Sequence, residues 1–252
     1  MKIIAITQAR VGSTRLPAKV LKLIGSKTLL QLHLERAMQS TLIDKLVVAT
    51  TEEQGADQIS GIAEQVGAAV YQGSVDDVLD RYYQAARIFE PDYVVRITSD
   101  CPLLDARLMD EVIRFALERQ VDYASNTLEV SFPDGQDVEV FRFSALEKAW
   151  KGATLKSERE HVTAHIWKNS TWYKHSSFTS DNYESEKNYG DVRLTVDEHK
   201  DYETIVTLIN ALGTNASWEE YATFYLANTE IMCNSSITRN EGYLKSLSTD
   251  KS

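Results

Sequence analysis

The sequence predicts an α/β fold, with a mostly parallel sheet flanked by helices and a smaller mixed α+β lobe. In the first half of the chain, short β-rich apolar runs alternate with segments of helical periodicity. The 252 residues are 43% hydrophobic, which is enough to bury a substantial core. Because there is no low-complexity linker, we expect one domain, 1–252, made of lobes 1–122 and 123–252.

The first lobe begins with the short apolar run IIAI at residues 3–6, which is typical of a buried strand. Further strands and helices alternate after it. The predicted helices are 29–38, 58–66 and 78–89, and the predicted strands are 45–50, 69–71 and 92–98. Such βαβ units form parallel sheets that bind ligands at the carboxyl ends of their strands. We therefore expect function in the loops that follow Ile6 and Ile97.

The second lobe has a mixed pattern. Strands are predicted at 138–143 and 191–196, and helices at 144–151, 158–167 and 202–212. Asp201 and Glu203 are expected on the exposed first turn of the last of these helices.

Charge and cysteine content exclude several classes of protein. With 27 Lys and Arg against 37 Asp and Glu, the formal charge is −10, which argues against general binding of nucleic acid or an anionic membrane. Cys101 and Cys233 have no metal-site spacing and predict no disulfide framework. The N-terminal apolar run is too short for a signal peptide and no stretch is long enough to span a bilayer, so we expect a cytoplasmic protein.

The loop after the first strand is the strongest functional signal. Residues 8–19 read QARVGSTRLPAK and place Arg10, Arg15 and Lys19 within ten positions. Gly12 permits a tight turn, so the loop could wrap an anion while the three cations neutralise a triphosphate. A solvated basic loop is the alternative, but phosphates commonly bind after the first strand of an α/β protein. The loop has neither the GxxxxGK[ST] nor the GxGxxG pattern.

Two aspartates are candidate magnesium ligands. Asp100 follows a predicted strand and precedes Pro102, and Asp197 ends another predicted strand in the same way. Mg²⁺ prefers hard oxygen ligands and shares its shell with phosphate. Taken alone, an aspartate close to a proline is more often a turn residue or a helix cap.

Several segments resemble a known family. The stretch RVGSTRLPAK at 10–19 is similar to the signature of the sugar-activating cytidylyltransferases, which include the 3-deoxy-manno-octulosonate and N-acylneuraminate enzymes. The spore-coat polysaccharide biosynthesis (SpsF-like) branch is resembled further by GSVDDVLDRYY at 73–83, FPDGQDVE at 132–139, EREHVT at 158–163 and NEGYLKSL at 240–247. The likeness spans nearly the whole chain.

The resemblance implies a Rossmann-like sheet of the GT-A-like nucleotide-diphospho-sugar transferase type, with Mg²⁺ held by Asp100 and Asp197. It also implies transfer of CMP from CTP to a sugar-like acceptor, release of pyrophosphate, and a homodimer. The implied catalytic residues are Arg10, Arg15, Lys19, Asp100 and Asp197. The implied nucleotide-binding residues are Thr7, Gln8, Ala9, Arg10, Gly12, Ser13, Thr14, Arg15, Lys19, Asp80, Arg81 and Arg96. For Asp80 and Arg81, a surface ion pair is an equal alternative.

The acceptor site is expected in two acidic segments of the second lobe. Its candidate residues are Asp134, Asp137, Glu139, Glu160 and His161. The alternative for the first three is a turn at 133–135 followed by an ordinary strand. His161 and His165 have the i, i+4 spacing of zinc ligands, but two ligands do not make a site, and a packed or solvent-facing helix is favoured.

Three classes of function fit these patterns: an activated-sugar synthetase, a GT-A-like glycosyltransferase with a nucleotide-sugar donor, and a non-catalytic nucleotide-binding paralogue. The strand before Asp100 does not end in the DxD motif usual in such glycosyltransferases. The basic first loop suits a triphosphate, and the presence of all three loop cations with both aspartates disfavours the non-catalytic class.

Overall fold

A computed structural model describes residues 1–12, 15–237, 239, 243, 246, 247 and 250. The strands are β1 (Ile3–Gln8), β2 (Leu23–Ile24), β3 (Lys27–Thr28), β4 (Lys45–Thr51), β5 (Ala69–Gly73), β6 (Tyr93–Thr98), β7 (Tyr123–Ser125), β8 (Glu139–Arg142) and β9 (Ser180–Asn182). The helices are α1 (Leu29–Ala37), α2 (Ala56–Gln65), α3 (Val78–Arg87), α4 (Ala106–Arg119), α5 (Phe143–Gly152), α6 (Lys156–Glu160), α7 (Ala164–Lys168), α8 (His199–Leu212) and α9 (Trp218–Ala227).

Seven strands form one sheet in the order β5-β4-β1-β6-β8-β7-β9, and β2 pairs with β3 in a small antiparallel hairpin. Strand β1 is parallel to β4 and β6, whereas β8 is antiparallel to β6 and β7. The predicted fold class, a mostly parallel sheet flanked by helices, is confirmed. Because the strand order reverses beside β1, a crevice is expected where β1 and β6 end. Gln8 pairs with Thr98 at that point.

The central strand is buried on both faces, as its apolar sequence predicts. Ile3 and Ala5 belong to one hydrophobic cluster, and Ile4 and Ile6 belong to a second. Successive side chains of a strand point to opposite faces, so β1 anchors the packing on both sides of the sheet. Among the described residues, no helix is long and apolar enough to cross a membrane.

Two of the predicted elements are wrong. Residues 191–196 form an isolated bridge between Asp134 and Arg193 where a strand was expected. The amide of Leu194 donates to the carbonyl of Asp134, so this segment pairs with the turn at 133–135. The expected helix 158–167 is divided into α6 and α7, because Val162 takes a left-handed φ of 54°. His161 and His165 therefore do not share one helical face.

Asp201 is buried, which contradicts the expectation of an exposed first turn, whereas Glu203 is exposed as expected. Asp201 accepts hydrogen bonds from the backbone amides of Asp197 and Glu198 and from the side chain of Arg193. It forms a capping box with Glu198 at the start of α8. Capping the helix and pairing with a buried arginine compensate the cost of burying this carboxylate.

Candidate functional site

The carboxyl ends of β1 and β6 open into a cleft of about 940 Å³ that extends toward β8 and the short helices α6 and α7. Most of the side chains proposed from the sequence line it. They are Gln8, Arg10, Gly12, Arg15, Lys19, Arg96, Asp100, Asp134, Asp137, Glu139, Glu160, His161 and Asp197. The fold thus brings residues from both halves of the sequence to one cleft.

Asp100 and Asp197 converge on a single ammonium group. Lys19 Nζ lies 2.8 Å from Asp100 Oδ2 and 2.9 Å from Asp197 Oδ1. Arg15 Nη2 lies 2.8 Å from the same oxygen of Asp197. The two aspartates are held together through the backbone as well, because the amide of Val196 donates to the carbonyl of Asp100. The two carboxylates are thus brought to one place in the cleft.

The charges of this cluster stabilise one another. Burial alone would lower the pKa of Lys19, but Asp100 and Asp197 raise it well above its usual value. Burial would likewise raise the pKa of Asp100, yet the charge and hydrogen bond of Lys19 lower it to about 2. Lys19 and Asp100 therefore remain charged at neutral pH.

The turn that carries Lys19 is short and locally fixed. Lys19 begins a 3₁₀ helix, Lys19–Leu21, directly after Ala18, which has a left-handed φ of 51°. The amide of Ala18 donates to the carbonyl of Val11, which closes the loop. Arg10 is exposed on this loop and lines the cleft. Ser13 and Thr14, which were expected to bind the nucleotide, lie outside the described residues.

The cluster suits a magnesium ion by the chemistry of its donors. Asp100 and Asp197 offer carboxylate oxygens, and Mg²⁺ is commonly held by one or two carboxylates together with phosphate oxygens of a substrate. Within 1–12 and 15–237 and the five single described positions, no group of three or more His, Cys, Asp or Glu could hold a metal. Asp100 and Asp197 are the carboxylates of this cluster that would hold a metal.

Four expected nucleotide-binding residues lie behind the cleft. Thr7 is fully buried and bonds to His33, and Ala9 is 2% exposed. Asp80 accepts a hydrogen bond from the indole of Trp150. Arg81 is 1% exposed and donates to the side chain of Gln8, so the alternative of a surface ion pair is wrong for this arginine.

The acceptor candidates are held by arginines that come from distant parts of the chain. Asp134 pairs with Arg193 at 2.5 Å, and Asp137 pairs with Arg239 at 2.5 Å. The residues 133–135 do form the expected turn, because the amide of Gln136 donates to the carbonyl of Pro133. Asp134 belongs to this turn and also lines the cleft.

Glu139 is the most deeply held of these carboxylates. It pairs with Arg96 across neighbouring strands, and it accepts hydrogen bonds from the hydroxyls of Tyr123 at 2.7 Å and Thr163 at 2.5 Å. With three donors on a buried side chain, Glu139 serves as an anchor for the wall of the cleft.

Burial shifts the pKa values of Asp134 and His161 on this side of the cleft. Burial and repulsion from Asp137 raise the pKa of Asp134 to about 7, against the opposing charges of Arg239 and Arg193. Burial and the nearby charge of Arg96 lower the pKa of His161 to about 4, so His161 is neutral at pH 7.

Sequence reasoning missed several residues of the cleft. Arg193 pairs with Asp134, Asp197 and Asp201, and its position four residues before Asp197 was the available signal. The cleft also has an aromatic wall. It could not be identified from the sequence, because isolated aromatic residues form no recognisable motif. Its members are Trp167, Tyr173 and Tyr243.

Comparison with known proteins extends these observations. Residues 4–231 match the sequence model of a family described as cytidylyltransferase. The chain belongs to the cytidylyltransferase family. The matched stretch contains the first loop, both aspartates of the cluster and the turn at 133–135, so the cleft lies largely within the region that matches the family.

Individual relatives support the family assignment. The spore coat polysaccharide biosynthesis protein SpsF of Bacillus subtilis is 32% identical over 84% of this chain and 88% of its own length. A solved cytidylyltransferase from Leptospira borgpetersenii is 34% identical, covers 95% of this chain and 100% of its own, and has a TM-score of 0.87. A CMP:2-keto-3-deoxy-manno-octonic acid synthetase complexed with CTP has a TM-score of 0.64 at 15% identity over 84% of this chain and 99% of its own, which shows a shared fold.

Proposed function

We propose that this protein is a Mg²⁺-dependent enzyme that transfers CMP from CTP to a sugar or sugar-acid acceptor and releases pyrophosphate. The observation that carries the proposal is the convergence of Asp100, Asp197, Lys19 and Arg15 at one point of the cleft. Two carboxylates beside two cations form a site that fits a metal-bound triphosphate. The family of the chain supports cytidine as the nucleoside.

The proposed reaction depends on placement and charge. An acceptor oxygen attacks the α-phosphorus in line and pyrophosphate leaves, so negative charge grows on the departing oxygens. Arg10, Arg15 and Lys19 neutralise the phosphates from the first loop. Asp100 and Asp197 would hold Mg²⁺, which supplies Lewis-acid stabilisation of the phosphate oxygens when bound.

The acceptor is proposed to bind on the side of the cleft that β8, α6 and α7 form. Glu160 and His161 lie there with the aromatic side chains of Trp167 and Tyr173. Carboxylate oxygens and a neutral imidazole can bond sugar hydroxyls, and aromatic rings cover the apolar face of a sugar. The similarity to SpsF, a spore coat polysaccharide biosynthesis protein, supports an acceptor used in cell-surface polysaccharide biosynthesis.

The same proposal assigns the nucleotide to lobe 1–122 and the acceptor and dimer contact to lobe 123–252. A homodimer in the cytoplasm is part of it.

One assay tests the proposal. The purified chain is incubated with Mg²⁺, each of the four ribonucleoside triphosphates and a panel of sugars and sugar acids, and pyrophosphate release is followed. CTP-specific, acceptor-dependent release that EDTA abolishes is expected. Transfer from a nucleotide-sugar donor, in a parallel incubation with the same acceptors, would favour a glycosyltransferase. Binding of CTP without pyrophosphate release with any acceptor would favour a non-catalytic paralogue.

A further inference from the structure

Arg81 is buried with no carboxylate in direct contact, although the charges of Glu53 and Asp77 nearby favour its charged form. Its Nε has no hydrogen-bond partner among the described residues. Its side chain lies on α3 and is 1% exposed, and within the described part of the chain it makes no salt bridge. Its Nη1 donates to the carbonyl of Ser74 at 2.7 Å, and its Nη2 donates to Gln8 Oε1 at 2.9 Å. Burying a guanidinium is costly when neutral oxygens alone accept its hydrogen bonds. This cost suggests that Arg81 serves the group that it contacts.

The contact with Arg81 fixes the orientation of the Gln8 amide. A guanidinium can donate but cannot accept hydrogen bonds, so the oxygen of the amide must face Arg81 and the nitrogen must face away. Among the described residues, Gln8 Nε2 has no hydrogen-bond partner, and it is not one of the buried polar atoms left without one. Since Gln8 lines the cleft, its two N–H groups are open to the cleft.

The Gln8 amide faces the part of the cleft that remains for the nucleoside. The phosphate cluster of Lys19, Asp100 and Asp197 lies beyond the end of β6, and the acceptor candidates lie toward β8. Gln8 ends β1, on the opposite side of β6 from β8. A nucleotide with its phosphates at the cluster therefore places its base toward β1.

We infer that Gln8 selects the base of the triphosphate. Arg81 is a positioning residue, which holds the Gln8 amide in the orientation that this selection needs. An N–H of the Gln8 amide donates to N3 of cytosine, which is an acceptor. Uracil carries an N3–H donor at the same position, so two donors would face each other. A buried donor that meets another donor loses its hydrogen bond, which discriminates strongly between similar ligands. The charge of Arg81 polarises the amide and strengthens its N–H donors. This inference rests on the proposed use of CTP.

Substitution of Gln8 by glutamate tests the inference. Gln8→Glu keeps the shape and keeps an oxygen for Arg81, but it presents a second oxygen to the cleft in place of N–H groups. The ratio of kcat/KM for CTP to that for UTP is expected to fall at least tenfold, mainly through the KM for CTP. Gln58→Glu, the same change on the exposed face of α2, is the matched control and should leave the ratio unchanged. An unchanged ratio in folded Gln8→Glu would overturn the inference.

A second pair of variants tests whether Arg81 orients Gln8 or only stabilises the fold. Arg81→Met removes the lock on Gln8 and should bring the affinities for CTP and UTP closer together, while Arg81→Lys should restore part of the difference. Titration calorimetry with each triphosphate and Mg²⁺ measures this without any acceptor. If both Arg81 variants unfold, the Gln8 variant decides.

Failure of the proposed function is distinguishable from failure of this inference. A wild-type chain that binds CTP more tightly than UTP but releases no pyrophosphate would contradict catalysis and leave the role of Gln8 supported. A wild-type chain that releases pyrophosphate from CTP, with a preference that Gln8→Glu does not alter, would contradict the role of Gln8 alone.

Discussion

The nucleotide side and the acceptor side of the cleft both contain many charges, but they balance them differently. On the nucleotide side, Arg15 and Lys19 of one short loop meet Asp100 and Asp197 in side chains that are 14% to 32% exposed. On the acceptor side, three carboxylates each pair with an arginine from another segment. These pairs are Asp134 with Arg193, Asp137 with Arg239 and Glu139 with Arg96.

The difference separates two uses of charge. The loop cations are accessible from the cleft and can exchange a carboxylate for a phosphate. The pairs of Asp134 with Arg193 and of Glu139 with Arg96 are more buried and fix the wall of the cleft, because removing one partner leaves the other charge buried and unpaired. Substitutions on the nucleotide side should therefore reduce turnover with little loss of stability, and substitutions on the acceptor side should first reduce stability.

The largest effect is expected from the two aspartates of the cluster. Asp100→Ala and Asp197→Ala should each lower the rate of pyrophosphate release by about 10³-fold or more, because each removes a charge that holds the triphosphate and its metal. Asp57→Ala, on the exposed surface of α2, is the control. Thermal unfolding checks that the fold persists, and full activity in either variant would remove the metal assignment.

The local character of the nucleotide side explains why much of it could be predicted. The buried strand at 3–6 and the cations of the following loop are adjacent in sequence, so periodicity and position identify them together. The expected strand at 191–196 is wrong for the opposite reason. Its alternating pattern suits a strand, but the hydrogen bonds of Leu194 and Asp134 link it to a turn almost sixty residues earlier, which no local pattern indicates.

Asp201 and Arg193 show the same limit. An aspartate in the first turn of a helix is usually exposed, and its burial here follows from a contact with Arg193 that only the folded chain creates. Whether the individual side chains of the cleft act as proposed stays a prediction.

The acceptor side should lose stability when Glu139 loses its charge. Glu139→Gln leaves Arg96 without its carboxylate in a pair whose side chains are 17% and 7% exposed, and the free energy of unfolding should fall by about 3 kcal/mol. Glu147→Gln removes the exposed pair with Lys151 and should leave the free energy of unfolding nearly unchanged, because water screens an exposed pair. Urea denaturation measures both, and equal losses would contradict the contrast drawn between buried and exposed pairs.

A smaller loss of stability is expected from substitution of two glycines. Gly135 has a φ of +103°, and a Cβ there would lie 2.7 Å from backbone atoms of Leu194 and Thr195. Gly25, in the hairpin of β2 and β3, has a φ of +60° with open space around it. Gly135→Ala should cost about 2 kcal/mol or more and Gly25→Ala about 1 kcal/mol. A Gly135→Ala variant as stable as Gly25→Ala would show that this turn can move.

The smallest expected effect is a dependence of folding stability on pH that arises from His33, next to the nucleotide side of the cleft. His33 is buried, its Nδ1 donates to the carbonyl of Cys101, and its Nε2 accepts from the hydroxyl of Thr7. Burial lowers the pKa of His33 from 6.5 to about 4, although the charge of Asp100 opposes this.

Between these values the unfolded chain binds the additional proton, so stability is complete above pH 6.5 and decreases toward pH 4. We expect His33 to contribute a loss of about 1 kcal/mol between pH 6.5 and 5.5. His33→Gln should flatten this slope in urea titrations at several pH values. A slope identical to that of the wild type would assign the acid sensitivity to other groups.

The close approach of Gly135 to the backbone of Leu194 and Thr195 also limits how this chain could be redesigned. Any bulk added at that turn would push on the segment that leads directly to Asp197, so a new acceptor preference could not be introduced there without disturbing the proposed catalytic centre. Trp167 and Tyr173 lie in a separate wall of the cleft. An engineer who wishes to broaden the range of acceptors should vary that wall and leave the turn intact.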